Sequence, residues 1–183
     1  MNIFVLSAQS EEAARMQCDK HVPKMLLEAT QMLCNGVPNE LRVSASGTAL
    51  RQGAGVYKPA HKKHPCSLWA VQTRGNWLWL LNHAWSLLSE YKFRYNDKSH
   101  RCEEMLIWLD ENERKITESF GGTVITPFAL AMPEQYKSSD PVHSYRKFYR
   151  EQKTFAKYEK GRPAPSWWDQ YSTSTSSPVI EIT

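Results

Sequence analysis

The chain has 183 residues, of which 41% are hydrophobic, and a net charge of +4, enough for one domain with a real core. It holds no run of about 18 apolar residues, which excludes a bilayer-spanning helix. Its four cysteines (Cys18, Cys34, Cys66, Cys102) are too sparse and irregular for a disulfide framework. With no charged and apolar leader at the start, a cytoplasmic protein with reduced thiols is expected.

The charge is unevenly spread. Residues 41–89 contain Arg42, Arg51, Lys58, Lys62, Lys63 and Arg74, but no Asp or Glu. Residues 142–162 contain seven Lys or Arg against Glu151 and Glu159. Two basic segments on an otherwise acidic chain are the footprint of a docked polyanion; two solvated basic faces are the alternative.

In chain order, Asn2–Leu6 reads as a short apolar strand or strap. Ser10, followed by Glu11 and Glu12, is an N-cap with acids in the first turn. It opens a helix to about Leu33, with a kink expected at His21-Val22 ahead of Pro23. Residues 35–65, rich in Gly, Ser and Pro, read as a long irregular loop that could hide a short hairpin. From Ser67 a strong helix follows, in which Trp77, Leu80, Leu81, Ala84, Leu87, Leu88 and Tyr91 form one apolar stripe. Asn76, Asn82, His83, Glu90 and Arg94 fall on the opposite face, while Trp79 and Trp85 lie off the stripe's centre and are expected to be partly exposed. Ser99 caps a further helix that Gly121-Gly122 ends. Asp140-Pro141 is an N-cap with proline at the first helical position, opening a helix with Tyr145, Phe148 and Tyr149 on one stripe and Arg146, Lys147, Arg150 and Lys153 beside it. Trp167-Trp168 is expected to plug a hydrophobic groove. The predicted architecture is mainly α, one compact domain over 1–168 with four or five helices, and a flexible Ser/Thr-rich tail over 169–183.

Two clusters could carry chemistry. Cys18-Asp19-Lys20-His21 packs four reactive side chains into one helical turn, with Cys18 and His21 sharing a face and Lys20 and Lys24 another. A carboxylate beside cations keeps its charge, so Asp19, or His21, is a candidate for acid–base work. In Tyr57–Trp69, the residues Lys58, His61, Lys62, Lys63 and His64 suit phosphates, with affinity falling steeply in salt. Cys18, His21, His64 and Cys66 are legitimate zinc ligands but lack a Cys-x-x-Cys pair, so no metal or cofactor is expected.

The apolar start Met1–Leu6, an acid about twenty positions in (Asp19), then Tyr57…His64-Pro65 and a long helix ending Glu90-Tyr-Lys-Phe-Arg-Tyr95 together resemble the pyrimidine-dimer DNA glycosylases of phage type. Cys18-Asp-Lys-His21, His64-Pro-Cys66, Thr126–Pro133 and Phe155-Ala-Lys…Trp167-Trp168 resemble a looser phage-borne set across nearly the whole chain. The resemblance implies an all-α fold, a host-cytoplasm location and attack on a nucleotide C1′ by the N-terminal amine, giving a Schiff base. An α-amine titrates near about 7.7–8, so a useful fraction is nucleophilic at neutral pH. Carried over, Met1 supplies the amine, retained because Asn2 is bulky. Asp19 stands where the family usually has Glu, and His21, His64 and Arg94 are phosphate or base contacts. Arg146, Lys153 and Lys20 complete the expected DNA-binding set.

The favoured expectation is therefore a DNA-binding glycosylase/AP-lyase acting on a damaged or modified base, with DNA as partner and no membrane. The alternatives are a non-catalytic nucleic-acid-binding accessory protein, or a base- or nucleotide-modifying enzyme with Cys18 or Cys66 as nucleophile beside a His.

Overall fold

The computed structural model describes residues 1–45 and 55–171. Among these the chain is helical, with no β-strand and a single parallel bridge, Thr73 to Gly121. The helices are α1 (Ser10–Arg15), α2 (His21–Cys34), α3 (Asn39–Ala45), α4 (Pro65–Ala70), α5 (Arg74–Arg94), α6 (Glu103–Glu111), α7 (Glu113–Thr117) and α8 (Pro141–Gln152). None is long and apolar enough to cross a membrane. A 3-10 turn spans Asp169–Tyr171; the rest of the expected tail lies outside the described residues.

Helix α5 is the central element and packs against α1, α2, α4 and α6. Thr73 caps it, its Oγ1 accepting from Asn76 N at 3.0 Å. Its apolar stripe is buried as the spacing predicts, with Trp77, Leu80, Ala84 and Leu87 fully enclosed. On the opposite face Asn76, His83, Glu90 and Arg94 are buried as well, while Asn82 is exposed. Asn76 Nδ2 donates to Trp69 O and Thr126 Oγ1, His83 Nδ1 meets Ser10 O at 2.9 Å, and Glu90 and Arg94 pair with each other. Periodicity cannot foresee this, because the cover comes from segments remote in sequence, where these four side chains find internal partners. Trp79 is likewise 5% exposed, its ring stacked on His83 and its Nε1 donating to Ala8 O. Left-handed Asn96 and Asp97 turn the chain after α5, residues whose short polar side chains tolerate that conformation.

The first helix is two helices rather than one kinked one. α1 stops at Arg15, residues 16–20 form a loop, and Pro23 sits in the first turn of α2, where a missing N–H costs nothing. The strong helix expected from Ser67 is similarly split into α4 and α5, and α3 lies within the expected irregular loop. Asp140 caps α8 as expected, accepting from Val142 N and His143 N.

Two straps close the molecule. The N-terminal strap, Ile3–Leu6, is almost wholly buried, and Arg146 Nε holds it by donating to Leu6 O at 2.8 Å. The C-terminal strap crosses the α1–α2 loop: Asp19 N donates to Lys157 O, and Tyr158 OH to Met16 O. Trp167 is buried there under the Arg146 guanidinium, consistent with the plug expected of the Trp pair.

Candidate functional site at the N-terminal amine

The N-terminal strap ends against α2. Asn2 folds it: its Oδ1 accepts from Ile3 N (2.8 Å) and Phe4 N (3.0 Å), and its Nδ2 donates to Ala131 O (2.8 Å). Phe4 adopts φ +41° in this turn, a strained value for a bulky residue. The strain is held by packing, since the Phe4 ring stacks on His21 at 5.0 Å and meets Tyr149 edge-on at 5.0 Å.

The turn delivers the Met1 ammonium to within 3.7 Å of Glu28 Oε2, and Asn2 N donates to the same oxygen at 2.9 Å. Lys24, one turn earlier on α2, has its Nζ 3.9 Å from Glu28 Oε1. Across the amine lies the start of α4, where Ser67 Oγ contacts Met1 Sδ at 3.4 Å. His64 caps that helix through Nδ1, which accepts from Cys66 N. Burial pushes the His64 pKa down, and the nearby N-terminal amine and His61 add to the effect. The amine, Glu28, Lys24, His61 and His64 therefore form one neighbourhood, drawn from three distant parts of the chain.

The carboxylate expected there was Asp19, and the structure uses it differently. Asp19 is 6% exposed; its Oδ1 accepts from Arg94 Nη1 (3.0 Å) and its Oδ2 from Glu159 N (2.7 Å). Arg94, expected to touch DNA, is 5% exposed and spends its remaining donors on Glu90, Gln17 O and Arg15 O. The pair is a buried clamp between α5 and the α1–α2 loop. Arg146, also expected on DNA, is half-buried and used on Leu6 O and the Trp167 ring.

His21 opens α2 near Lys24. Burial first, then Lys153 and Lys24, push its pKa down to about 3, so it is neutral at physiological pH and does not exchange protons there as an acid–base group. Lys153 lies over the Phe148 and Phe4 rings. Lys20, Lys58, His61, Lys62 and Lys63 are exposed, as a phosphate-facing role requires.

Cys18 and His21 do not share a helical face, because Cys18 lies in the loop before α2. Among the described residues no three His, Cys, Asp or Glu side chains form a metal-ligating group. Cys18 and Cys66 are fully buried, and burial pushes the Cys66 thiol up to about 11, the opposite of what a thiolate nucleophile needs.

Glu28, Lys24, Asn2 and Ser67 were not among the expected site residues. One signal for Glu28 was present: it lies one turn beyond Lys24, at the i, i+4 spacing of a helical ion pair. Its pairing with Met1, twenty-seven positions away, is tertiary. Compared with protein-family models, curated proteins and solved structures, the chain matches none of them.

Proposed function

We propose that the protein is a DNA-binding glycosylase/AP-lyase of the kind its sequence resembles, with the Met1 amine as nucleophile and Glu28, rather than Asp19, as its carboxylate. The observation that supports this most is the α-amine held 3.7 Å from Glu28 on a face carrying Lys24, His61 and His64. In the unprotonated form the amine adds to C1′ of the target nucleotide as the C1′–N bond to the base breaks, and the base leaves with a proton. The nitrogen lone pair then opens the sugar ring to an iminium while O4′ gains a proton. Glu28 stabilises that cation and accepts the C2′ proton as the C3′–O bond breaks. Glutamate is also the carboxylate usual in the family that the sequence resembles.

Borohydride reduction of the iminium to a stable secondary amine tests the reading. Wild-type protein, checked by mass spectrometry for a free Met1 amine, is expected to trap abasic DNA covalently. Blocking the amine with a short N-terminal extension should abolish trapping. Glu28→Gln should slow strand cleavage by about 100-fold or more, the usual scale of general acid–base catalysis, while Asp19→Asn should not do so selectively. Intact DNA binding with no trapped species would sink the lyase reading and favour the accessory DNA-binding one.

A further inference from the structure

Between α7 and the 3-10 turn Glu134–Tyr136 the chain has no helix or strand, and side chains behind it stand in for a neighbouring strand. Thr126 N donates to Asn76 Oδ1 (2.8 Å), and Thr126 O accepts from Trp69 Nε1 (3.3 Å). Further on, the Tyr145 hydroxyl donates to Ala129 O (2.6 Å) and accepts from Ala131 N (3.3 Å). A C=O at i and an N–H at i+2 meeting one group is the pattern of a β-ladder, so Ala129 and Ala131 turn their polar groups inward from extended chain. Asn2 Nδ2, donating to Ala131 O, completes this inner edge.

The outer edge follows from the alternation. Phe128 and Leu130 point their N–H and C=O groups the other way, and among the described residues these groups have no hydrogen-bond partner. Both residues are half-buried, and an unpaired backbone group needs water or an incoming partner. Such a row of open donors and acceptors is a template for pairing with another chain. It is firmly backed, since the Phe128 ring packs on Trp69 and Trp79 at 5.2 and 4.9 Å. Large apolar side chains stay open along the segment, Val124 at 69% and Ile125 at 51% exposure, as does Leu68 next to Trp69 on α4. Gly122 and Thr123, at the start of the same segment, line a cleft of about 590 Å³ with Arg74, Arg114, Lys115 and Glu118. Arg74 is spent on a bidentate pair with Glu113. Arg114 and Lys115 are exposed and form no ion pair among the described residues. With Arg74 neutralised and Glu118 the one carboxylate in that lining, the cleft keeps a net positive charge and suits carboxylates.

We propose that this edge docks an extended, acidic segment of a partner protein by strand addition, with main-chain hydrogen bonds to Phe128 and Leu130 and carboxylates on Arg114 and Lys115. Antiparallel pairing, the more stable arrangement, places those carboxylates at the C-terminal end of the segment. From Leu130 back to Thr123 the chain spans at most about 23 Å, at about 3.3 Å per extended residue, so about eight residues suffice. Val124 and Ile125 receive its apolar side chains. Pro127 and Pro133 bracket the edge and keep it short, which disfavours pairing with the same edge of a second copy. This docking is independent of the lyase reading and touches the amine site only through Asn2.

Fluorescence anisotropy with a dye-labelled synthetic peptide, Thr-Val-Thr-Ile-Thr-Ser-Glu-Glu amide, tests this. Wild-type protein should bind it saturably, and replacing both peptide glutamates by glutamine should weaken binding and remove its salt dependence. N-methylating the valine and isoleucine amides blocks one edge of the peptide, and N-methylating the threonines that follow them blocks the other. One of these should abolish binding and the other spare it. Leu130→Pro removes an outward N–H while Ala129 and Ala131 keep their inward bonds, so affinity should fall about tenfold. An unchanged melting temperature should show that this variant folds, and the N-methylated peptides make the same test without altering the protein. Arg114→Glu with Lys115→Glu should weaken the acidic peptide and leave its glutamine analogue unchanged. No binding by wild type, equal loss from both N-methylation patterns, or wild-type affinity in Leu130→Pro overturns the docking. Sedimentation showing a dimer that Leu130→Pro abolishes and the peptide displaces overturns it in favour of a second copy.

Discussion

Asn2 shows how much one side chain can organise. Its amide accepts two backbone N–H groups, donates to Ala131 O, and so fixes the turn that points Met1 at Glu28. Asn2→Asp keeps the acceptor and loses the donor, whereas Asn2→Leu keeps the bulk that retains Met1 and loses both. If the amine is the nucleophile, trapping rates should fall in the order Asn, Asp, Leu, with the effect on the rate at saturating DNA rather than on affinity. Equal rates and pH profiles in all three would show that the turn does not aim the amine. The residue was legible in the sequence only as a bulky second position, because a turn of this kind depends on where Ala131 and Glu28 lie in space.

Among the elements, α5 decides the interior. Arg94 reaches Glu90 within the helix and Asp19, Gln17 O and Arg15 O outside it, with no exposed donor face. Glu90 also receives Arg162 from the C-terminal strap at 2.8 Å. Removing one member of a buried, hydrogen-bonded charge set leaves its partners uncompensated, which typically costs about 3–5 kcal/mol. Arg94→Met should therefore lower the unfolding free energy by about that amount in urea denaturation. Arg94→Lys should recover only part of it, because an ammonium cannot reproduce the guanidinium fork. A loss below about 1 kcal/mol for Arg94→Met would show that the clamp is dispensable. The apolar stripe of α5 was readable from its period; the burial of Asn76, His83, Glu90 and Arg94 was not, since the segments that cover them lie far away in sequence.

Across the whole molecule, two buried neutral histidines set an acid limit. His83, between Ser10 O and Gln17, is pushed down to about 4, mainly by burial, and His21 to about 3. Both values lie below the ordinary 6.5, so in the intervening range the unfolded chain binds more protons than the folded one. Their contribution is fully present above about pH 6.5 and is lost as pH falls toward 4 for His83 and 3 for His21. From pH 7.5 to 5 each should cost about 2 kcal/mol. His21→Phe preserves the stacking on Phe4 and removes one titration, so its melting temperature should fall less steeply over that range than wild type. A wild-type melting temperature flat between pH 7.5 and 5 would contradict the burial of both rings.

By itself the sequence determined that the chain is helical, that residues 77–88 supply a core stripe, that Asp140 and Pro141 start α8, and that basic charge is concentrated away from acids. These follow from periodicity, capping and composition, all of which act within a few residues. Only the tertiary structure decided which carboxylate meets the amine. Asp19 and Glu28 are equally plausible in one dimension, but the α1–α2 loop turns Asp19 inward to Arg94 while α2 carries Glu28 to the N-terminal strap. The physical reason is that a carboxylate's role is set by the cation it faces, and both cations come from segments far away along the chain.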